Sequence, residues 1–169
     1  GSGTWTVGGD FNLSLVGTFS NTSGTIVMNE TGTLTSNGKT INNFTTSGTG
    51  TITLANATHT FSGNVTLGAS TTMAVGSSTV VMNGTGTLTT NGKALNHFTT
   101  SGGGTITLAN ATHSFSGNIT LGSTGFNAGT STVVMTGTAN LIGGAKTLNN
   151  LTIDGTNSTV TVASSSVTV

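Results

Sequence analysis

The chain has 169 residues, of which only 4% are charged, and its three lysines balance its three acidic residues to a formal net charge of zero. Globular proteins average about 25% charged residues. Phosphate backbones and anionic lipids are bound by clustered Lys or Arg, so this composition excludes charge-based binding to nucleic acid or to a membrane surface. No apolar run approaches the ~20 residues that span a bilayer, and the absence of cysteine leaves the redox compartment open.

Short runs along the chain alternate polar and apolar residues, which is typical of half-buried strands. Their β-branched content separates them from disordered segments of similar polarity. In chain order the clearest runs are Thr25–Met28, Thr51–Leu54, Thr79–Met82, Thr105–Leu108, Thr132–Met135 and Thr159–Val162.

A long internal repeat connects these runs. Asn37–Asn64 and Asn91–Asn118 lie at an offset of 54 and differ at only five of 28 positions. A more diverged third copy follows at offsets of 53 and 54, as at Lys146–Asn150. Self-similarity of this kind indicates stacked structural units. We therefore treat residues 1–169 as one domain with three repeats, at about 4–57, 58–111 and 112–165.

Stacked repeats predict a parallel β-solenoid, specifically a right-handed β-helix. Threonines would point outward, and the pairs Asn37-Gly38 and Asn91-Gly92 would form corners, because Asn and Gly tolerate positive φ. If these pairs were instead hairpin turns, the fold would be an antiparallel sandwich or an array of small β-domains. The predicted inward residues are Phe61, Val65, Leu67, Val80, Met82, Leu88, Leu95, Phe98, Ile106, Leu108 and their equivalents in the other repeats.

The length of one coil is less well defined by the sequence. Thr79–Met82 and Thr105–Leu108 lie at an offset of 26, which predicts two coils of about 27 residues in each repeat. The alternative is three coils of 18, because Thr33 and Thr51 are separated by that number. In either case equivalent residues of successive repeats would stack on one face.

Two sets of polar residues recur at single repeat positions. We predict an amide ladder from the asparagines and solubilising, exposed edge positions for the lysines. The sets are Asn42, Asn96 and Asn149, and Lys39, Lys93 and Lys146.

The segments Trp5–Leu13, His59–Leu67 and His113–Leu121, followed by threonine-rich strands and by Leu148–Gly155, carry a resemblance to a known class. The chain resembles the secreted β-helical repeats of bacterial and archaeal surface proteins, including filamentous-haemagglutinin-like adhesins and related metagenomic repeat proteins. The resemblance covers nearly all of the chain. It implies a right-handed parallel β-helix outside the cell or at its surface, with a role in adhesion, sheaths or filaments. It transfers no catalytic residue.

Asn-x-Ser/Thr triplets are frequent, and each is a candidate N-glycosylation site if the protein is secreted. A chain rich in Ser and Thr also produces such triplets by chance. They begin at Asn12, Asn21, Asn29, Asn43, Asn56, Asn64, Asn83, Asn110, Asn118, Asn150 and Asn157.

No arrangement of reactive residues predicts catalysis, a cofactor or a metal. A glycosidase needs two carboxylates about 5–10 Å apart, and of Asp10, Glu30 and Asp154 only the first two lie in one repeat. His59 and His113 are equivalent, and we expect them to lie two coils apart on the surface, too far apart to share a metal without His97 or another ligand.

Three functions fit these patterns. The first is a structural filament, sheath or fibre in which the protein binds itself head to tail, because neither end shows a polar capping segment. The second is an adhesin or phage-fibre stalk that binds surface glycans. The third is ice binding by stacked Thr-x-Thr arrays, at Thr31–Thr35 and Thr85–Thr89.

Overall fold

The computed structural model describes residues 1–155, 158–163 and 167–169. Every strand pairing in it is parallel, and the strands form a three-sided β-solenoid of about eight turns, as predicted. No helix is present in the described ranges. The antiparallel sandwich and the array of small domains are therefore excluded.

Between residues 25 and 142, strands on the three sides follow one another in strict rotation along the chain. Face 1 is a seven-stranded sheet of β1 (Thr4–Val7), β3 (Thr25–Met28), β6 (Asn43–Thr46), β9 (Val65–Thr66), β12 (Gly86–Thr89), β15 (Thr105–Leu108) and β18 (Gly125–Asn127). Face 3 is a seven-stranded sheet of β5 (Thr40–Ile41), β8 (Thr58–Phe61), β11 (Thr79–Met82), β14 (His97–Thr100), β17 (Ile119–Leu121), β20 (Ala139–Ile142) and β22 (Val160–Val162).

Face 2 consists of two separate four-stranded sheets that occupy the same place in the rotation. The first contains β2 (Phe11–Asn12), β4 (Gly32–Thr35), β7 (Thr51–Leu54) and β10 (Thr72–Ala74). The second contains β13 (Ala94–Leu95), β16 (Thr112–Phe115), β19 (Thr132–Met135) and β21 (Asn150–Ile153).

Both predicted coil lengths, with two or with three coils in each repeat, are wrong. Paired residues of adjacent coils are 18 to 23 positions apart, as in Thr25 with Asn43 and Val65 with Leu88. The middle repeat contains the eight strands β8–β15, and three strands complete one turn, so one repeat makes two and two-thirds turns. The error came from assuming that a sequence repeat closes a whole number of coils.

A fractional number of turns moves equivalent residues to different faces. Trp5 lies in β1 on face 1, His59 in β8 on face 3, and His113 in β16 on face 2. Each surface feature of one repeat therefore recurs in the next repeat on a different face of the solenoid.

The interior is a continuous, mostly apolar core formed by inward residues from all three faces. All ten residues predicted to point inward are buried. Phenylalanines from different faces pack in pairs in the core, with ring centroids 5.4 Å apart for Phe44 and Phe61 and 5.3 Å apart for Phe98 and Phe115. Burial of these side chains against the adjacent coils supplies the main stabilising free energy, at about 25 cal/mol per Å² of apolar surface.

Tight corners depend on left-handed backbone at defined positions. Asn37-Gly38 and Asn91-Gly92 have φ values of 47° and 73° and of 48° and 77°, which confirms them as turns. Gly102 also has positive φ, and a Cβ there would collide with the Asn83 carbonyl oxygen of the coil below. Glycine thus allows one coil to lie directly on the next.

The third repeat has Gly144-Ala145 where the others have Asn-Gly, and Ala145 adopts a φ of 59°. Left-handed backbone costs an L-residue about 1–2 kcal/mol, whereas glycine adds unfolded-state entropy of about 0.4–1 kcal/mol. We predict that Ala145→Gly stabilises the protein by up to about 1 kcal/mol.

The matched variant is Gly92→Ala, where φ is 77° and no atom lies within 4 Å of the new Cβ. It should destabilise the protein by a similar amount through backbone strain alone. Urea midpoints measure both variants. Shifts of the same sign in the two would contradict this account.

Candidate functional site

The residues predicted to form ladders lie on three different corners. Asn42 precedes β6 on face 1, Asn96 precedes β14 on face 3, and Asn149 precedes β21 on face 2. The lysines are distributed in the same way, since Lys39 precedes β5, Lys93 precedes β13 and Lys146 precedes Thr147. The predicted asparagine ladder is therefore wrong, because equivalent residues rotate by one face per repeat.

The asparagines instead bond individually to the adjacent coil. The Nδ2 of Asn42 donates to Ser62 Oγ at 3.2 Å, and the Nδ2 of Asn96 donates to Ser116 Oγ at 3.0 Å. The Nδ2 of Asn149 donates to the Ser131 carbonyl oxygen at 3.3 Å. Each of these hydrogen bonds connects one corner of the solenoid to the adjacent coil.

A different set of polar side chains accepts backbone N–H groups from the coil that follows. The Oδ1 of Asn43 accepts from Asn64 N at 2.8 Å, and the Oδ1 of Asn64 accepts from Thr87 N at 2.8 Å. The same role is played by Asp10 toward Thr33, His97 toward Asn118, and Asn118 toward Asn140. Asp10, one of the two carboxylates of the first repeat, is thus part of the scaffold.

Strand register also accounts for several sequons. In Asn64-Val65-Thr66 and Asn118-Ile119-Thr120 the Asn bonds at the corner, the middle residue is buried, and the Thr lies on the outer surface. Sequence reasoning missed this role, although the apolar middle residue of each triplet was a signal for it. The sequons at Asn12, Asn56, Asn64, Asn110, Asn118 and Asn150 are exposed, and those at Asn29, Asn43 and Asn83 are half-buried.

Asn21 is an exception among the sequons. It is buried, with 7% of its surface exposed, and its Oδ1 accepts the backbone N–H of Asn42 at 2.7 Å. The folded protein has no room for a glycan there, so this candidate is wrong. Asn157 lies outside the described residues.

The two equivalent histidines are fully buried, which contradicts the prediction that they lie on the surface. His59 Nδ1 lies 2.9 Å from Ser36 Oγ, and its Nε2 lies 2.9 Å from the Ala55 carbonyl oxygen. His113 has the same arrangement, with Nδ1 3.1 Å from Thr90 Oγ1 and Nε2 2.9 Å from the Ala109 carbonyl oxygen. A hydroxyl 23 positions before each histidine was the signal in the sequence.

The surface motifs proposed for ligand binding do not assemble into one site. Thr31–Thr35 leads into β4 on face 2, whereas Thr85–Thr89 leads into β12 on face 1, so the two motifs do not stack. Trp5 is 50% exposed and packs edge-on against Phe19, with ring centroids 6.1 Å apart. Within the described ranges, no group of three or more His, Asp or Glu residues is placed to hold a metal ion.

One interruption of the strand ladder occurs in each repeat, and we call it a seam. Seam 1 lies on face 3 between residues 17–20 and β5, where that sheet begins. Seam 2 separates β10 from β13 on face 2, and seam 3 separates β18 from Thr147-Leu148 on face 1. At seam 3, Thr147 pairs with Thr168 on its far side. The seams are equivalent by sequence and, like the rest of the repeat, rotate by one face.

Lysines span two of the seams. Lys39 Nζ donates to the Gly17 carbonyl oxygen at 3.0 Å, and Lys146 Nζ donates to the Thr124 carbonyl oxygen at 3.1 Å. These lysines connect coils where strand pairing is missing, so their role includes a structural contact in addition to the predicted exposed edge.

Seam 3 forms an opening in the solenoid wall. A cleft of about 410 Å³ lies between Phe126 and Leu148, with Asn127, Thr147 and Asn149 at its rim. Phe126 and Leu148 also line a small apolar cavity of about 10 Å³ among core residues. The cleft has polar groups at its mouth and apolar side chains at its base, which is the usual composition of a binding site.

The buried histidines predict a loss of stability in mild acid. Burial lowers the pKa of His59 and His113 below 6.5, and the carbonyl contacts with Ala55 and Ala109 oppose this shift in part. The fold therefore favours neutral imidazole. Stability is complete above about pH 6.5 and falls as the pH drops through that value toward the lower folded pKa, because the unfolded chain then binds more protons.

Urea midpoints measured between about pH 7.5 and pH 5.5 test this linkage. His59→Gln and His113→Gln should each remove about half of the pH dependence, and the double variant should remove most of it. An unchanged slope in the double variant would show that other groups control the response.

The lysine contact at seam 3 can be tested by substitution. Lys146→Met keeps the apolar stem and removes the ammonium, so we predict a loss of about 0.5 kcal/mol for the exposed hydrogen bond. Lys93→Met is the matched control, because no bond of Lys93 Nζ is found in the described part of the chain. Equal urea midpoints for the two variants would contradict a role for Lys146 at the seam.

Among the described residues, no helix is both long and apolar enough to cross a lipid bilayer. Comparison of the chain with protein-family models, curated protein sequences and solved structures found no match. The resemblance to filamentous-haemagglutinin-like adhesins stays a prediction from sequence pattern, and the geometry of the solenoid and its seams is the basis for the functional proposals.

Proposed function

We propose that this protein is a structural element of an extracellular filament, sheath or fibre. The observation that carries the proposal is the parallel ladder, in which each coil pairs with the next over most of the three faces. Coils spaced by about 4.8 Å make a repeat of two and two-thirds turns about 13 Å long. Length then grows linearly with the number of repeats, which suits a spacer or fibre.

The lateral surface supports the same role. Outward positions on face 1 are dominated by neutral polar residues, as in Thr45, Thr66 and Thr89, which follow one another through β6, β9 and β12. Rotation of the repeat places similar surfaces on faces 2 and 3. A neutral surface of this kind avoids lateral charge repulsion between neighbouring solenoids.

The end turns of the solenoid supply the contacts for end-to-end continuation. Trp5 and Leu15 in the first turn are 50% and 100% exposed, and Ile153, Val162 and Val169 in the last turns are 50%, 54% and 65% exposed. Val162 is aligned with the buried Leu141, so its side chain points toward the core axis at the tip. Further coils, from a second copy or from adjoining repeats, would bury these residues and extend the ladder.

Electron microscopy of the purified chain at increasing concentration tests head-to-tail assembly. We expect unbranched filaments of constant width, with each subunit adding about 38 Å for eight turns. Val162→Asp places a charge at the tip and should block assembly. Thr161→Asp, one residue away on the outer surface of β22, should leave it intact.

Uniformly monomeric particles at all concentrations would overturn assembly through the solenoid ends. Filaments formed equally well by Val162→Asp would show that the contacts lie elsewhere on the surface.

A further inference from the structure

Seam 3 differs from seam 1 in how its exposed backbone is treated. At seam 1 the N–H of Asn42 is bound by the side-chain oxygen of Asn21 at 2.7 Å. Asn149 is the equivalent of Asn42, but the residue equivalent to Asn21 is Ala128, which has no acceptor in its side chain. The third repeat therefore lacks the side chain that closes the seam in the first.

One wall of the seam 3 cleft is the edge of β18, and the other is the extended backbone at Thr147-Leu148, which forms a single parallel bridge. In the described part of the chain, β18 pairs with β15 on one side only. On the side away from β18, Leu148 N donates to the Thr168 carbonyl oxygen and Thr168 N donates to the Lys146 carbonyl oxygen. Alternate residues of a parallel strand direct their N–H and C=O groups to opposite sides, so an unpaired edge presents both donors and acceptors. The cleft thus offers backbone hydrogen bonds to an extended chain.

The chain itself shows which side chains suit this position. On face 1, Asn43-Phe44-Thr45 and Asn64-Val65-Thr66 occupy earlier coils, with Phe44 and Val65 each 1% exposed. Both segments have the pattern polar, apolar, polar. The base of the cleft at Phe126 and Leu148 would receive an apolar side chain, and the rim at Asn127, Thr147 and Asn149 would face polar ones.

From these features we propose that seam 3 binds an extended, uncharged peptide segment of a partner protein by strand addition. The segment has a polar–apolar–polar pattern, places its apolar side chain between Phe126 and Leu148, and pairs its backbone with the edge of β18. The residues that line the cleft, which include Val169, have no charged side chain, and a neutral partner segment matches them. The site would attach a partner to the side of the solenoid, independently of the contacts at its ends.

The probe is a synthetic peptide with the sequence of residues 62–68, Ser-Gly-Asn-Val-Thr-Leu-Gly, titrated into the full chain and followed by amide NMR. We expect saturable shifts confined to residues 125–129 and 147–149. A peptide with Asp in place of Val, and one N-methylated at Val, should each bind at least tenfold more weakly. Absence of saturable binding, or equal binding by the N-methylated peptide, would overturn the proposal.

Variants of the protein test the location. Ala128→Asn introduces the acceptor found at seam 1 and should reduce peptide binding at least tenfold by closing the edge. Ala128 is buried, so a larger side chain at this position can also disturb the fold. Thr147→Trp, at the exposed rim of the cleft, therefore serves as a second blocking variant. Thr89→Trp, on the outer side of β12 on the same face, is the control and should bind the peptide normally.

Unchanged binding by both Ala128→Asn and Thr147→Trp would place the peptide elsewhere and overturn the assignment. A second outcome would also overturn it. If the peptide does not bind but the chain self-associates through a contact that Thr147→Trp abolishes, the cleft receives a second copy of the chain and not a partner peptide.

Discussion

Hydrogen bonding between successive parallel coils is the constraint on which the rest of this structure depends. Each coil must lie directly on the one before it, so the corners have to be as thin as the strands. Positive φ at Asn37-Gly38 and the collision that a Cβ would make at Gly102 both follow from that requirement. Corner N–H groups that strand pairing leaves free are bound by side chains such as Asn43, Asp10 and His97. The thin corners and their need for hydrogen-bond acceptors therefore explain why the chain is so rich in Gly and Asn. Threonine occupies many outward strand positions, so a polar sequence with few charges still forms a continuous apolar interior.

Much of the fold could be predicted from the sequence because period-two alternation reports directly on which side chains face the core. The parallel solenoid, the inward set from Phe61 to Leu108 and the corner at Asn91-Gly92 all follow from local patterns. Coil length could not be obtained in this way, since it depends on which strands pair, and pairing between residues such as Thr79 and His97 is set by long-range packing. The error in coil length then carried through to every expectation about stacking, including the ladder expected for Asn42 and its equivalents.

The candidate site was less predictable than the fold for a related reason. A seam exists because a strand such as β13 fails to pair with β10, and no single residue type marks such a failure in advance. The burial of the two histidines could not be predicted for a different reason. Trp5 occupies the equivalent position in the first repeat, and it is half-exposed at the first turn. Their partners Ser36 and Thr90 become meaningful only when the coil register brings them within hydrogen-bond distance.

The ratio of eight strands to one sequence repeat has a consequence for how such a protein can change over generations. Recombination within the gene that adds or removes a single repeat unit keeps the core intact, since every junction remains equivalent. It also turns everything downstream by about one third of a revolution around the long axis. Only gains or losses in multiples of three units preserve the angular position of a downstream feature such as the Phe126 cleft. The number of repeats therefore sets the angle at which a downstream feature projects from the long axis, as well as its distance along that axis.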